Sequence, residues 1–269
     1  MGRGIAHIAL RHGYGVALFD VAAHAARRVA ETAAAEGSSL VVAASIAAAV
    51  DGADAVIEAV VESRPAKVAV LREMAAAAGP DTLLATNTST FSIGQLAADA
   101  GCAGRLVGMH FFNPAEKMRL VEVVAADGVP APYLQRAVAL AEALGKTPVV
   151  VQDSPGFITS RLGLLLGNEA MRLVSSGVAP PDAIDVAMRL GYNHPMGPLE
   201  LADLVGLDAR LNNLNAIYPA LNDDRYRPPR ILVDLVGAGH LGRKSGRGFY
   251  LYDAGGRKAG VAPRTEGSQ

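Results

Sequence analysis

Residues 53–86 read ADAVIEAVVESRPAKVAVLREMAAAAGPDTLLAT, and three segments stand out in them. Residues 53–61 are an apolar run of the kind that forms a strand buried on both faces. Residues 65–78 place apolar side chains at the spacing of an amphipathic helix. Residues 82–86 return to strand character. Upstream, 16–20 (VALFD) reads as a strand, 21–36 as helix, and 40–44 as a short strand, with Ser45 placed to cap a short helix. Downstream, 92–100 reads as a short helix, 106–112 and 120–125 as strands, 131–144 as a helix ended by Gly145, and 148–151 as a last strand. Strand–helix alternation of this kind predicts an α/β domain with a mainly parallel, doubly wound sheet over residues 1–153.

The pattern changes after Asp153. Helical periodicity alone runs over 156–176, 181–190, 198–219 and 228–241, broken by Gly177, Gly191, Pro195, Gly197 and the Pro228–Pro229 pair. This predicts a second, all-α domain over 154–253. The remainder, 254–269, has little to bury and is expected to be a disordered tail.

Composition narrows the function classes. The chain has 269 residues, of which 51 % are apolar, so normal cores can form. A charged fraction of 19 % and a formal net charge of −1 supply no basic field for nucleic acid. Aromatic content is 5 %, with no Trp, which argues against base-stacking platforms. The one cysteine, Cys102, has no partner within the chain, and a reducing, cytoplasmic compartment fits best. No apolar run reaches the ~18 residues of a membrane span, and the first residues do not read as a secretory signal. No metal is expected.

The N-terminus carries part of a known architecture. Residues 1–6 (MGRGIA) open an amphipathic helix that ends at Gly13, and the strand after it ends in Asp20. In a dinucleotide-binding βαβ unit the order is strand, Gly-rich turn, helix, strand, acidic residue, and the acid takes the ribose hydroxyls. Gly2 matches the third glycine, where a side chain would spoil helix–sheet packing, and Asp20 matches the acid. The first strand and first two glycines are not in the sequence. Without a central strand, its two neighbours would hold unpaired backbone groups at about 1–3 kcal/mol each. The expectation is therefore a Rossmann-type sheet whose first strand, ending in G-x-G-x-M-G, precedes Met1 in the native chain. No Arg follows Asp20 in Val21-Ala22-Ala23, which favours NAD over NADP.

Further motifs fall at strand ends, where open α/β sheets bind their ligands. Thr86-Asn87-Thr88-Ser89 follows one strand. Gly108-Met109-His110-Phe111-Phe112-Asn113-Pro114 ends another, and Leu120-Val121-Glu122-Val123-Val124 comes next. This places Ser89, His110 and Asn113 near one mouth, with Glu122 able to reach back to His110. With Asp153-Ser154-Pro155-Gly156-Phe157 and Pro195-Met196-Gly197-Pro198, these stretches resemble the 3-hydroxyacyl-CoA dehydrogenase family, and within it the stand-alone bacterial 3-hydroxybutyryl-CoA type, from Met1 to about Tyr252.

The resemblance implies roles that the residue chemistry allows. His110 would be the general base that takes the C3-hydroxyl proton while hydride leaves for NAD, since imidazole titrates near neutrality. Glu122 would hold its tautomer. Ser89 would hydrogen-bond the substrate oxygen and lie against the cofactor, and Asn113 would touch the nicotinamide side. Glu62 and Lys67 match family positions that approach the cofactor. Lys244, in Gly242-Arg243-Lys244-Ser245-Gly246, matches another, although a turn role suits it equally. An acyl-CoA substrate and a homodimer formed by the helical domain are implied as well.

Two departures stand out. Ser160 occupies a position where relatives carry a substrate-contacting Asn, and serine reaches less far while keeping a donor and an acceptor. The stretch 20–53 is shorter than in many relatives, and its Arg27 and Arg28 could face CoA phosphates or simply solvent. A dehydrogenase of a non-CoA hydroxy or sugar acid, or a non-catalytic crystallin-like relative, stays open at this point.

Overall fold

The structure is a computed structural model that describes residues 1–263. The chain divides into two compact units, Met1–Phe157 and Ile158 onward.

The first unit runs α1 (Gly2–Arg11), β1 (Ala17–Leu18), α2 (Ala23–Ala35), β2 (Val41–Val42), α3 (Ile46–Val50), β3 (Ala55–Glu58), α4 (Arg64–Ala77), β4 (Leu83–Thr86), α5 (Ile93–Ala100), β5 (Leu106–Phe111), β6 (Leu120–Ala125), α6 (Ala131–Ala143) and β7 (Thr147–Gln152). Five strands form one sheet in the order β3-β4-β5-β6-β7, and β1 and β2 pair separately in parallel. All pairs in the large sheet are parallel except β5–β6, which is antiparallel. The connector 112–119 explains that exception, because a parallel return needs a crossover of a dozen or more residues.

Alternation along the strands builds two cores, one on each face. Leu83, Ala85, Val107, Met109, Val121 and Val123 pack with Ile5 and Ile8 of α1 and Ala137 and Ala141 of α6. Leu84, Leu106 and Val124 pack instead with Ile46 and Val50 of α3, Leu71 and Met74 of α4 and Ile93 and Leu96 of α5. Helices therefore cover both faces, as a doubly wound sheet requires. Ser45 and Ser92 cap α3 and α5 by accepting the N–H groups of Ala48 and Gln95. Asp153 adds to the second cap, taking Ile93 N–H at 3.0 Å and Gly94 N–H at 2.8 Å.

The second unit runs α7 (Thr159–Ser175), α8 (Pro181–Gly191), α9 (Pro198–Val205), α10 (Leu207–Leu221), α11 (Arg230–Gly237), β8 (Tyr250–Tyr252) and β9 (Lys258–Val261), with 3-10 turns at Asp224–Tyr226 and Arg243–Ser245. Its core joins Leu164 and Met171 of α7 to Leu199, Leu214, Leu232 and Tyr250. The guanidinium of Arg210 on α10 reaches across to α7, where a Cβ at Gly167 would lie 2.0 Å from its Nη2. Arg210 donates to the carbonyls of Gly163 and Leu164, and burial lowers its pKa to about 10.

Three expectations need correction. The helix expected over 198–219 is two helices, because Gly206 turns the chain with φ +103°. The second unit is not all-α, since β8 and β9 pair as an antiparallel hairpin. The tail expected to be disordered from 254 is ordered to 263 by that hairpin. Asp253 accepts Arg257 N–H at 2.9 Å across the turn, and Lys258 sits 4.5 Å above the ring of the buried Tyr250. Residues 264–269, which belong to the same expectation, lie outside the described residues.

Candidate active site

His110 and Glu122 are directly opposite each other in the antiparallel β5–β6 pair. Cross-strand partners on one face have adjacent side chains, and here His110 Nδ1 lies 2.7 Å from Glu122 Oε2. Both are buried, at 6 % and 1 % exposure. The rings of Phe112 and Phe157 pack on the imidazole, with centroids 4.5 and 5.8 Å away. A carboxylate accepts only from a protonated nitrogen, so in the neutral ring Nδ1 carries the proton and Nε2 is left as the base.

Ser89 Oγ meets Nε2 at 3.1 Å. It stands on the loop after β4, the strand beside β5, so two adjacent carboxyl ends bring the serine and histidine together. Asn87 hooks this loop to β5, its Oδ1 accepting Phe111 N–H at 2.9 Å.

The order Ser89–His110–Glu122 has the connectivity of an acyl-transfer triad, and a second feature decides against that chemistry. Nucleophilic acyl transfer needs backbone N–H groups aimed at a developing oxyanion. Here the N–H groups of Ser89 and Thr90 point at a carboxylate oxygen, Glu62 Oε1, at 2.9 and 3.1 Å. Negative charge already occupies that position. What the site offers is an oriented base at Nε2 with a hydroxyl beside it, which suits removal of a proton from an alcohol oxygen.

The other expected residues fall as follows. Lys67 is wholly buried, and its ammonium donates to Glu58 Oε1 at 3.0 Å, Glu58 Oε2 at 3.2 Å and Asn87 O at 3.0 Å. Glu62 Oε2 lies 3.5 Å from the same nitrogen. These two residues thus tie β3, α4 and the loop after β4 together. Asn113 is exposed just beyond β5. Gly2 opens α1, where an added Cβ would sit 3.8 Å from Ala59 Cβ. Asp20 is exposed after β1, with Oδ1 accepting Ala22 N–H at 2.8 Å. Arg27 and Arg28 are exposed on α2. Ser160 and Lys244 belong to the second unit. Ser160 lies in the first turn of α7, and Lys244 pairs with Asp208 at 2.6 Å.

Sequence reasoning placed Glu58, Thr86 and Asn87 within motifs but assigned none of them a role of its own. Glu58 is 2 % exposed and accepts from Val60 N–H at 2.6 Å and Thr86 Oγ1 at 2.5 Å, besides Lys67. The signal was present: Glu58 is a charged residue inside the apolar run 53–61, and such a residue is buried only with partners.

A dinucleotide fits this frame. The first turn of α1 holds no acidic residue of its own, and its N-terminal N–H groups at Gly2 would face phosphates; the Glu116 carboxylate lies beside the next glycine, 3.1 Å from the Cβ position of Gly4. Asp20 keeps an exposed carboxylate for a ribose diol.

An NAD-linked dehydrogenase is the class of protein that this sheet and this base define. The comparisons narrow it. Residues 1–154 match the 3-hydroxyacyl-CoA dehydrogenase NAD binding domain, and 156–252 match the C-terminal domain of the same family. A 3-hydroxybutyryl-CoA dehydrogenase of Bradyrhizobium diazoefficiens is 39 % identical over 94 % of this chain and 92 % of its own. One from Clostridioides difficile is 41 % identical over 74 % of this chain and 71 % of its own. The crystal structure of the (S)-3-hydroxybutyryl-CoA dehydrogenase of Ralstonia eutropha has a TM-score of 0.87 and 36 % identity, covering 94 % of this chain and 95 % of that one. The chain belongs to the 3-hydroxyacyl-CoA dehydrogenase family, an NAD-dependent oxidoreductase family.

Proposed function

We propose that this protein oxidises (S)-3-hydroxybutyryl-CoA, or a related short 3-hydroxyacyl-CoA, to the 3-oxoacyl-CoA with NAD. The observation that carries the reading is the Glu122–His110–Ser89 line, which presents Nε2 as a base beside a hydroxyl donor. The substrates named for the relatives supply the acyl group.

NAD, when bound, would supply the hydride acceptor for C3. The protein's own residues manage the proton. His110 Nε2 takes it from the C3 hydroxyl, and the buried Glu122 carboxylate stabilises the resulting imidazolium. Ser89 Oγ, already 3.1 Å from Nε2, holds the substrate oxygen in line with it. Phe112 and Phe157 exclude water from the imidazole faces. Asp20 would take the ribose hydroxyls and the α1 N-terminus at Gly2 the phosphates, with Asn113 contributing to the nicotinamide side.

The assay is NADH oxidation with acetoacetyl-CoA, run beside free 3-oxo acids. Loss of absorbance at the NADH band with the thioester alone is expected. Reduction of free acids, and of no thioester, would overturn the substrate assignment.

The same reading makes the protein a cytoplasmic homodimer. The second unit exposes the apolar side chains Leu162, Leu190, Val205 and Tyr192, at 63, 79, 55 and 75 %, which a partner copy would cover. Among the described residues no helix is long and apolar enough to cross a membrane. Light scattering behind size exclusion should give twice the 27.7 kDa chain mass, and a monomer at micromolar concentration would refute the dimer.

A further inference from the structure

We infer that Glu62 is a positioning residue that sets the orientation of Ser89 toward His110. The inference rests on the dehydrogenase reading for its meaning, but not for its geometry.

Four donors from three consecutive residues converge on a single oxygen of Glu62. Oε1 accepts from Thr88 Oγ1 at 2.6 Å, Ser89 N–H at 2.9 Å, Thr90 N–H at 3.1 Å and Thr90 Oγ1 at 3.0 Å. Thr88 and Thr90 are 1 % and 2 % exposed, while Glu62 itself reaches them from the solvent side with 30 % of its side chain exposed. A charged acceptor makes these bonds short and strong. The preceding residue is fixed independently, since Asn87 holds β5 through Phe111 N–H and offers its carbonyl to Lys67. Ser89 is thus anchored on both sides, with its own N–H in the clamp. This places its Cβ where one χ1 rotamer brings the hydroxyl to 3.1 Å from Nε2.

Glu62 is held in turn. Its Oε2 lies 3.5 Å from Lys67 Nζ, and Lys67 is locked by Glu58 at 3.0 and 3.2 Å. Glu58 therefore anchors the lysine, the lysine draws Glu62 inward, and Glu62 shapes the loop. Oε1 is saturated by this arrangement. A group whose main acceptor is already filled acts first on Ser89, and the loss of such alignment is worth about 100-fold in rate.

The experiment compares Glu62→Ala, Glu62→Gln, Ser89→Ala and the Glu62→Ala/Ser89→Ala double variant. Positioning predicts that Glu62→Ala lowers kcat about 100-fold while the NADH dissociation constant stays within about twofold. The double variant should be no slower than the slower single one. Glu62→Gln, which keeps one acceptor oxygen, should recover part of the loss. The ring-nitrogen NMR signals of His110 provide a readout that needs neither substrate nor turnover. Glu62→Ala should change them as Ser89→Ala does, and the changes should not add. Weakened NADH binding with an unaltered His110 spectrum would overturn the inference, as would fully additive losses. Should the wild type reduce no 3-oxoacyl-CoA, the dehydrogenase reading fails, and the His110 spectra still decide the clamp. Should Glu62→Ala not fold, Glu62→Gln carries the same comparison.

Discussion

His110 combines a buried ring with a single charged partner, and its substitution separates chemistry from binding. Gln in its place keeps a polar group of similar size but no base. Turnover with acetoacetyl-CoA and NADH should fall about 10²- to 10⁴-fold, while NADH affinity measured by fluorescence titration changes little. Near-normal turnover would remove His110 from the base role. At this scale the sequence was informative where polar residues sit at strand ends, as Ser89, His110 and Glu122 do. It was less informative for residues whose partners are distant in the chain. Glu58 and Thr86 are separated by 28 positions and meet only because β3 and β4 pair in register, with Glu58 opposite Thr86. Glu62 and Lys67 were expected at the cofactor, and periodicity alone could not reveal that they converge with Glu58 on one loop.

The β3–α4–β4 junction depends on a buried ion pair. Lys67 and Glu58 both have side-chain exposures of 0 %. Removing one member strands the other, which typically costs 3–5 kcal/mol, whereas removing both leaves no uncompensated charge. Lys67→Met should therefore destabilise the first unit by about 3–5 kcal/mol, and Glu58→Gln/Lys67→Met should restore a large part of that. Urea unfolding followed by far-UV circular dichroism reads both values, and equal losses in single and double variants would show that the pair is not the mechanism. Element boundaries were legible where a cap or glycine marks them, as at Ser45, Ser92 and Gly145. The break between α9 and α10 was not, because Leu204 and Leu207 keep the helical spacing across Gly206 and only its φ of +103° interrupts it. The antiparallel direction of β6, by contrast, follows from the connector that the strand runs 106–112 and 120–125 leave between them, too short for a parallel return.

On the scale of the whole chain, each unit has its own core, and one buried acid makes the second respond to pH. Asp203 accepts Phe249 N–H at 3.0 Å, Tyr250 N–H at 2.9 Å and Tyr252 Oη at 3.1 Å, so it fastens the C-terminal hairpin to α9. A Cβ at Gly248 would lie 2.1 Å from its Oδ1, so only glycine permits this approach. Burial, with the nearby Asp185 carboxylate adding to it, outweighs the three donors and pushes Asp203 up to about 6 from 3.8. Tyr250 and Tyr252 are pushed upward as well, mainly by burial, and stay neutral throughout. The folded state thus binds the Asp203 proton more tightly than the unfolded chain does. Stability from this group rises as pH falls through 6 and is almost absent at pH 7, the reverse of a salt-bridged carboxylate. Between pH 7 and pH 5 the gain is about 1 kcal/mol. Five of the seven tyrosines, Tyr192, Tyr218, Tyr226, Tyr250 and Tyr252, lie in this unit, and the chain has no Trp, so near-UV circular dichroism reports its unfolding. Asp203→Asn removes the titration and one acceptor, and should be less stable at both pH values. The gap between wild type and variant should widen by about 1 kcal/mol from pH 7 to pH 5. A gap that stays constant, or narrows on acidification, would show that the three donors hold Asp203 ionised and that the hairpin is fastened by charge rather than strained by it.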